Sequence, residues 1–167
     1  LYRQRWAEAL ALCNDVIGST RYSLTDDYFK AFSIEGENNP ESIFEIQADQ
    51  GTKYGNEEPF SWTGICQGVR GSAEWDLGWG WNTPTANLVN AYAPGDKRKD
   101  GTILFSGQTD GVYGRTVPAF PAVVPRAYWN KKVYPNPATQ AAKGQRQAGW
   151  YNHKVIRYAD VLLMAAE

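Results

Sequence analysis

The chain has 167 residues, which suffices for one domain with its own hydrophobic core. Its formal net charge is −1 and no basic arm is visible, which argues against a nucleic-acid-binding protein. Aromatic residues make up 14% of the chain, with ten Tyr and seven Trp, a composition that suits stacking on sugar rings without being specific for it.

The first part of the chain predicts two helices followed by a strand. Apolar residues recur at three- and four-residue steps over residues 2–17, which predicts an amphipathic helix that ends at Gly18. Residues 24–33 predict a short helix, because Thr25 is a suitable N-cap and two acids follow it. Residues 42–48 are rich in β-forming side chains and predict a strand.

The middle of the chain combines a long irregular segment with one predicted helix. Residues 51–80 show little periodicity, yet their aromatic content argues against disorder, so a binding loop is expected. Thr83 and Pro84 then predict the start of a helix, with Thr83 as N-cap and Pro84 at the first position. The charged residues 96–100 predict a solvated turn.

The last part of the chain predicts extended segments before a final helix. Residues 103–106 predict a strand edge, and residues 128–134 a strand or an extended arm. Residues 135–149 are polar and predict a loop. Residues 156–167 carry a strong helical pattern of apolar side chains.

The two cysteines, Cys13 and Cys66, permit at most one disulfide. Cys13 lies on the apolar face of the first predicted helix, so a buried free thiol and a bridge both remain open. Residues 10–13 (LALC) look like a lipoprotein cleavage site, but charged residues precede them where a signal needs an apolar stretch. No run is long enough to span a membrane.

Several short motifs, taken in order, resemble the SusD/RagB family of surface glycan-binding lipoproteins. They are WAEAL, YSLTDDYFKAFS, NNPESIFEIQ, GWGWNTPTANLVNAYAPGD, the lysine-bearing WNKKVY, and VIRYADVLLMAAE. The similarity covers residues 6–48, 79–98 and 128–167, whereas the segments between them match no pattern of the family. Gram-negative bacteria pair these lipoproteins with a TonB-dependent outer-membrane transporter.

The resemblance implies a fold that is mainly α, with long irregular loops and little β. In such a fold a helical, tetratricopeptide-like frame supports a loop-rich ligand-binding part. Because the helical patterns at both ends lack caps, we also expect the chain to be an internal piece of a longer protein. Its expected divisions are 1–48 (helix, short helix and strand), 49–80 (variable aromatic loop), 81–100 (helix and turn), 101–149 (variable loops) and 150–167 (start of the C-terminal helix).

The resemblance further implies non-catalytic capture of an oligosaccharide or polysaccharide, or in some members a peptide. The captured ligand would pass to a SusC-like TonB-dependent transporter at the outer-membrane cell surface. No cofactor is implied, and contact with the membrane would be made only by a lipid anchor outside this piece. A docking or structural role in the transporter complex remains an alternative, because exposed aromatic patches also mark protein interfaces.

Aromatic rings that stack and planar polar groups that hydrogen-bond hydroxyls are the side chains expected to bind a glycan. Trp62 and Trp75 lie in the unmatched loop, so they are equally candidates for stacking and for packing. Trp81 leads directly into a predicted helix, which favours a ring packed beneath it. The full set of candidate ligand-binding residues is Trp62, Trp75, Trp79, Trp81, Gln67, Arg70, Asp76, Asn82, Tyr113 and Trp129.

The charged residues of the matched motifs are expected to support the fold. Arg157 and Asp160 are three positions apart on a predicted helix, which is close enough for them to interact. Glu41 and Glu45 flank a strand that we expect to be packed inside, where they would act as hydrogen-bonding scaffold.

A glycoside hydrolase is the enzymatic alternative, because paired carboxylates are available in the loops. The pairs are Glu57 with Glu58 and Glu74 with Asp76, although adjacent loop acids are usually solvated charges. The single histidine, His153, has no nucleophile pattern near it. The ligand spacing of a metal site is absent, and a structural calcium at Asp110 is left open without support.

Overall fold

The computed structural model describes residues 3–49, 61–147 and 149–167. Six helices and four short strands are found there, joined by long irregular segments, so the chain is mainly α with little β, as the sequence predicts. Their bounds in chain order are α1 (Trp6–Gly18), β1 (Ser42–Ile46), α2 (Trp62–Gln67), α3 (Ala86–Ala91), α4 (Lys97–Thr102), β2 (Ile103–Phe105), β3 (Tyr128–Asn130), α5 (Pro137–Lys143), β4 (His153–Arg157) and α6 (Tyr158–Ala166).

The four strands form two separate antiparallel pairs. β1 pairs with β4, with Ile46 opposite His153, and the register is irregular around Phe44. β2 pairs with β3 in a regular register, with Ile103 opposite Asn130. Each pair joins segments that are distant in sequence, so the strands fix the path of the loops between them. Helices α1 and α6 pack on each other beside the β1–β4 pair.

A charged frame, defined here as Glu41, Glu45, Lys154 and Arg157, ties β1 to β4. Lys154 Nζ lies 2.5 Å from Glu45 Oε1, and the two side chains are 10% and 1% exposed. Arg157 Nη1 lies 2.8 Å from Glu41 Oε1. The backbone N–H of Arg157 also donates to Asp160 Oδ2 at the start of α6. These contacts agree with the scaffold roles expected of Glu41, Glu45, Arg157 and Asp160; Lys154 was not among the expected residues.

Glu45 is held ionised by the hydrogen bonds within this frame. Burial raises the pKa of the Glu45 carboxyl, but hydrogen bonds from Lys154, Ser42 and Asn152 outweigh burial and hold that pKa below its usual value. Asn152 Nδ2 donates to Glu45 Oε2 at 2.9 Å. The buried charge is therefore fully engaged, as buried ionised groups must be.

The main hydrophobic core lies under the segment after α2, away from the charged frame. Trp75 stacks on Tyr134 with the ring planes 7° apart, and the Arg115 guanidinium covers Trp75 at 4.4 Å. Its buried members are Val69, Trp75, Leu77, Leu104, Val117, Val124, Trp129 and Tyr134. Because these come from the segment after α2, the later loops and the β2–β3 pair, the core holds the irregular segments in place.

Several predicted elements are confirmed within a few residues. The first helix is present as α1, β1 ends two residues earlier than predicted, and β2 covers all but the last residue of the predicted edge. The final helix begins at Tyr158 and is preceded by β4, which the sequence analysis missed. Cys13 and Cys66 are both free thiols, and Cys13 is buried.

The helix predicted at residues 24–33 is wrong, because side chains there bond to the backbone in a series of turns. The Thr25 N–H and hydroxyl both donate to Glu41 Oε2, and Asp27 Oδ1 accepts from the Phe29 N–H. Short polar side chains that compete in this way for backbone groups favour turns over helix.

Four further predictions differ from the structure, three of them because a helix cap was misplaced or missed. The helix after residue 83 begins two residues later than predicted, with Thr85 as the N-cap that accepts from the Leu88 N–H. Asp96 caps α4, where a solvated turn was predicted. Asn136 caps α5 inside the predicted polar loop. The segment at 51–80 contains α2, and residues 50–60 lie outside the described residues.

Candidate functional site

Three indole rings stand side by side on the surface around α2. Trp62 opens α2, and Trp79 and Trp81 follow the next loop. The Trp79 ring centroid is 5.3 Å from that of Trp62 and 5.1 Å from that of Trp81. Their exposed fractions are 49% for Trp62, 36% for Trp79 and 57% for Trp81. We call these three residues the tryptophan row.

The backbone, and not burial of the rings, fixes the position of the row. The Trp79 N–H donates to the Ile65 carbonyl and the Trp81 N–H to the Cys66 carbonyl, each at 2.8 Å. Between them, the Gly80 N–H donates to the Gly68 carbonyl at 3.0 Å. Residues 77–81 therefore lie along the end of α2 and are joined to it by main-chain hydrogen bonds. These bonds fix the directions in which the side chains of this segment point.

Two glycines allow this close backbone approach. A Cβ at Gly68 would lie 2.3 Å from the Leu77 carbonyl oxygen, and one at Gly78 would lie 2.3 Å from the Ile65 carbonyl oxygen. Neither distance is compatible with any side chain unless the backbone moves. We call this contact the glycine crossing, because Gly68 and Gly78 lie against each other where the two segments meet.

Polar groups adjoin the row on the α2 side. Gln67 Oε1 accepts from Asn82 Nδ2 at 3.0 Å and from Asn130 Nδ2 at 2.7 Å. Within residues 3–49, 61–147 and 149–167, Gln67 Nε2 and Asn82 Oδ1 have no hydrogen-bond partner. Arg70 is exposed next to Gly80, and its guanidinium is likewise unpaired with any described residue. These groups offer donors and an acceptor to a ligand.

Two predicted stacking residues are core residues, so these predictions are corrected. Trp75 is 4% exposed, with Tyr134 stacked on its ring and the Arg115 guanidinium 4.4 Å from the ring centroid. Trp129 is 0% exposed, and its Nε1 donates to Ser106 Oγ at 3.0 Å. Neither ring has a free face. The interpretation of Trp81 as a ring packed under a helix is also wrong, since it is the most exposed of the row.

Two more candidates are engaged elsewhere in the fold. Tyr113 is half-buried between Phe29 and Tyr134, and burial raises the pKa of its hydroxyl far above the usual value. Asp76 Oδ2 lies 3.7 Å from Arg146 Nη2. Of the ten candidates, the structure therefore brings together Trp62, Trp79, Trp81, Gln67, Arg70 and Asn82.

The sequence analysis missed Asn130 as part of the site. Its side chain holds Gln67 in place from β3, which is more than 60 positions away in the chain, so no local pattern reports the contact. The β-forming residues that precede it indicate the strand but not which segment it faces.

The enzymatic candidates do not form a carboxylate pair in the described residues. Glu57 and Glu58 lie outside those residues, and Asp76 is paired with Arg146. His153 is an exposed residue of β4, opposite Ile46. In the part of the chain that the structure describes, no three His, Cys, Asp or Glu side chains are grouped as metal ligands.

Asp110, the residue considered for calcium, instead closes a turn. Its two carboxylate oxygens accept from the backbone N–H groups of Val112, Tyr113 and Arg115 and from the Tyr134 hydroxyl.

Among the described helices, none combines the length and apolar character needed to cross a bilayer.

Comparison with known proteins gives one family throughout. The sequence pattern of the SusD family matches residues 40–167, about three quarters of the chain. The surface glycan-binding protein A of Bacteroides fluxus superposes with a TM-score of 0.70 at 20% identity, over 99% of this chain and 36% of that one. No functionally curated protein matches the chain in sequence.

Two further solved structures agree with this. The surface glycan-binding protein A of Bacteroides thetaiotaomicron, in complex with laminarihexaose, has a TM-score of 0.66 and 19% identity over 97% of this chain and 38% of that one. A SusD superfamily protein of Parabacteroides distasonis has a TM-score of 0.63 and 27% identity over 96% of this chain and 33% of that one. The chain thus spans about a third of the length of these structures.

Proposed function

The chain belongs to the SusD family, and from that premise we propose that it binds a glycan on the tryptophan row without catalysing any reaction. The observation that carries the proposal is the row itself: three large rings with substantial exposure, beside side-chain amides that lack partners among the described residues. Indole faces stack on the apolar faces of pyranose rings, and amides bond to hydroxyls on the ring edge.

The tilt of the rings favours a glycan that turns. The planes of Trp62 and Trp79 are inclined by 49°, and those of Trp79 and Trp81 by 63°. A straight, flat ribbon such as a β-1,4-glucan cannot lie on both faces at once, whereas a chain that curves from unit to unit can. Laminarihexaose, which is bound to one structural relative, is therefore the first ligand to test.

The affinity expected for such a surface is weak. Stacking contributes about 1 kcal/mol per ring beyond area burial, and half-exposed rings bury less area than a deep pocket would. A dissociation constant in the micromolar to millimolar range, about −4 to −8 kcal/mol, follows. Weak binding suits a protein that must release its ligand again.

We further propose that the longer protein is anchored at the outer-membrane surface and passes its glycan to a SusC-like TonB-dependent transporter. Family membership supports this role. The tryptophan row also supports the alternative in which the transporter, and not a glycan, covers the rings, since exposed Trp is common at the centre of protein interfaces.

Calorimetric titration of the full-length protein with laminarihexaose and cellohexaose tests the glycan proposal. We expect laminarihexaose to bind more tightly, and Trp62→Ala and Trp81→Ala each to weaken it about tenfold, which corresponds to about 1.4 kcal/mol. The matched control is Trp6→Ala on α1, because Trp6 is exposed to the same extent as Trp62. Unchanged affinity in both row variants contradicts the proposal.

Two measurements separate the alternatives. If glycan affinity is unchanged in Trp81→Ala but capture of the co-purified transporter is lost, the docking role is correct. Release of reducing ends from laminarin by the purified protein would contradict the non-catalytic assignment, and we expect none.

A further inference from the structure

A hollow that is separate from the tryptophan row lies beside the short turn that follows β3. Lys131 is only 6% exposed, and its side chain lines two adjoining cavities of about 270 and 360 Å³. Both cavities are also lined by Asp100 and Gly111. We call the joined space the Lys131 hollow. None of its lining residues belongs to the tryptophan row.

The Lys131 ammonium group has no polar partner in the described parts of the chain. No carboxylate lies within ion-pair distance of it there, and it makes no hydrogen bond. Its contact is with the Phe29 ring, whose centroid is 5.5 Å from Nζ. An ammonium group carries three donors, and Lys131 Nζ is not fully enclosed although the side chain as a whole is buried. The donors of Lys131 are therefore available to a molecule in the hollow.

The charges around the hollow select against an anion. Four acids face it, against two lysines, so the lining carries a net negative charge; these residues are Asp26, Asp27, Asp100, Asp110, Lys97 and Lys131. Asp110 is already engaged by three backbone N–H groups and the Tyr134 hydroxyl. A metal ion would meet the Lys131 ammonium, which repels it. A neutral ligand rich in hydroxyl groups is compatible with both signs.

We propose that the Lys131 hollow is a second binding site, which takes one neutral hexose unit. Lys131 Nζ donates to hydroxyl oxygens, and the Asp100 carboxylate accepts from hydroxyl groups of the same sugar. The Tyr28 and Phe105 side chains supply apolar wall. Taken separately, each of the two cavities is near the lower end of ligand-pocket volumes, so each suits one ring and not an oligosaccharide. The choice of a sugar among neutral hydroxylated molecules rests on the proposed function; the site does not.

Saturation-transfer NMR with the methyl glycosides of glucose, galactose and mannose tests this inference on the full-length protein. All variants carry Trp62→Ala and Trp81→Ala, so that the tryptophan row does not contribute to the signal. We expect at least one glycoside to receive saturation, and Lys131→Met to weaken that binding about tenfold, as the loss of a charged hydrogen bond does. Lys132→Met is the matched control, since the Lys132 ammonium lies over Phe32 at 4.1 Å.

A second measurement does not depend on the folding of any variant. Reductive methylation of the wild-type protein, read by peptide mass spectrometry, should slow at Lys131 but not at the exposed Lys30 when the bound glycoside is added. Equal saturation in Lys131→Met and its parent, or equal methylation with and without glycoside, overturns the inference. Absence of laminarihexaose binding to the wild-type protein would instead overturn the proposed function, and it would leave the result for the Lys131 hollow unaffected.

Discussion

The charged frame and the tryptophan row treat their most costly side chains in opposite ways. In the frame, Glu45 and Lys154 are withdrawn from water and each charge is matched within the fold. In the row, Trp81 leaves more than half of its side chain in water although the fold has a core that encloses Trp75. The interactions of the frame hold two strands together, whereas the row leaves a large part of each ring exposed.

The motifs that carry the family resemblance contribute residues both to the charged frame and to the tryptophan row. The motifs around Glu45 and Arg157 build the frame, as expected of residues that hold a fold. The motif GWGWN does both: its glycines set the backbone path, and Trp79 and Trp81 are displayed. A matched motif is thus not by itself a sign of a structural role.

Replacing one Trp of the hydrophobic core and one Trp of the tryptophan row gives the largest expected difference in the free energy of unfolding. Trp75→Ala should lower the free energy of unfolding by about 3–5 kcal/mol, because a buried ring is lost and a cavity is left. Trp81→Ala should change it by about 1 kcal/mol or less, because the ring is mainly exposed. Urea unfolding followed by circular dichroism measures both. Equal losses would show that the row is part of the core and end the comparison.

The frame is tested by removing one buried charge. Glu45→Gln should cost about 3 kcal/mol, because Lys154 remains buried without its partner. Glu8→Gln is the matched control, since the Arg5–Glu8 pair is exposed on both sides and should contribute about 0.5 kcal/mol or less. A loss in Glu45→Gln no larger than in Glu8→Gln would contradict the structural role of the frame.

The same variant has a signature in acid. The folded pKa of Glu45 lies below the pKa of a glutamate in the unfolded chain, so its contribution to stability is complete above that unfolded value. That contribution is lost as the pH falls through the lower, folded pKa. Unfolding measured at several pH values should show a shallower acid dependence for Glu45→Gln, and an unchanged slope would contradict the assigned shift.

Gly80 connects the tryptophan row with the hydrophobic core, because it lies between Trp79 and Trp81 and against the buried Trp129 ring. Its φ is +68°, and a Cβ there would lie 2.8 Å from Arg70 Cβ and 3.1 Å from the Trp129 ring. Gly80→Ala should therefore cost about 2 kcal/mol of stability, from backbone conformation and crowding together. It should also weaken laminarihexaose, because Trp81 follows directly. Normal stability with weakened binding would mean that only the row is sensitive.

The smallest expected effect tests where α3 begins after the tryptophan row. Thr85→Ala should lower the free energy of unfolding by about 1 kcal/mol, because Thr85 Oγ1 accepts from the Leu88 N–H at the start of α3. Thr83→Ala is the control and should have little effect. A larger loss in Thr83→Ala would return the cap to the position that the sequence predicts. Thermal unfolding distinguishes the two.

Local chemistry made parts of this molecule predictable from sequence and left others out of reach. The periodicity of α1 and the β-forming residues of β1 report contacts with immediate neighbours, so both elements were found. Thr25 misled, because its expected capping role is replaced by bonds to Glu41, 16 positions away. Asn136 is a different case, because its bond to the Ala138 N–H is local and Pro137 follows it at the first helical position, so that the sequence did carry the signal of a helix start.

The candidate site was predictable in composition but not in membership. An aromatic-rich loop with planar polar side chains indicated the region, and six of its ten candidates meet there. Which rings face water depended on contacts that sequence spacing does not report, such as Arg115 over Trp75 and Ser106 at the Trp129 indole. Burial is decided by partners that are distant in the chain.

The glycine crossing has a consequence for how ligand preference changes between relatives. Main-chain N–H groups of residues 77 and 79–81 donate to residues 65–69 and set the course of the segment, and Gly68 and Gly78 permit the close approach. The identity of the side chains at 79 and 81 is therefore not needed to hold it. Exchange of an indole for a smaller or more polar group should leave the support intact. Under the proposed function, single substitutions in the row would therefore change which sugar the surface prefers, with no compensating change in the interior.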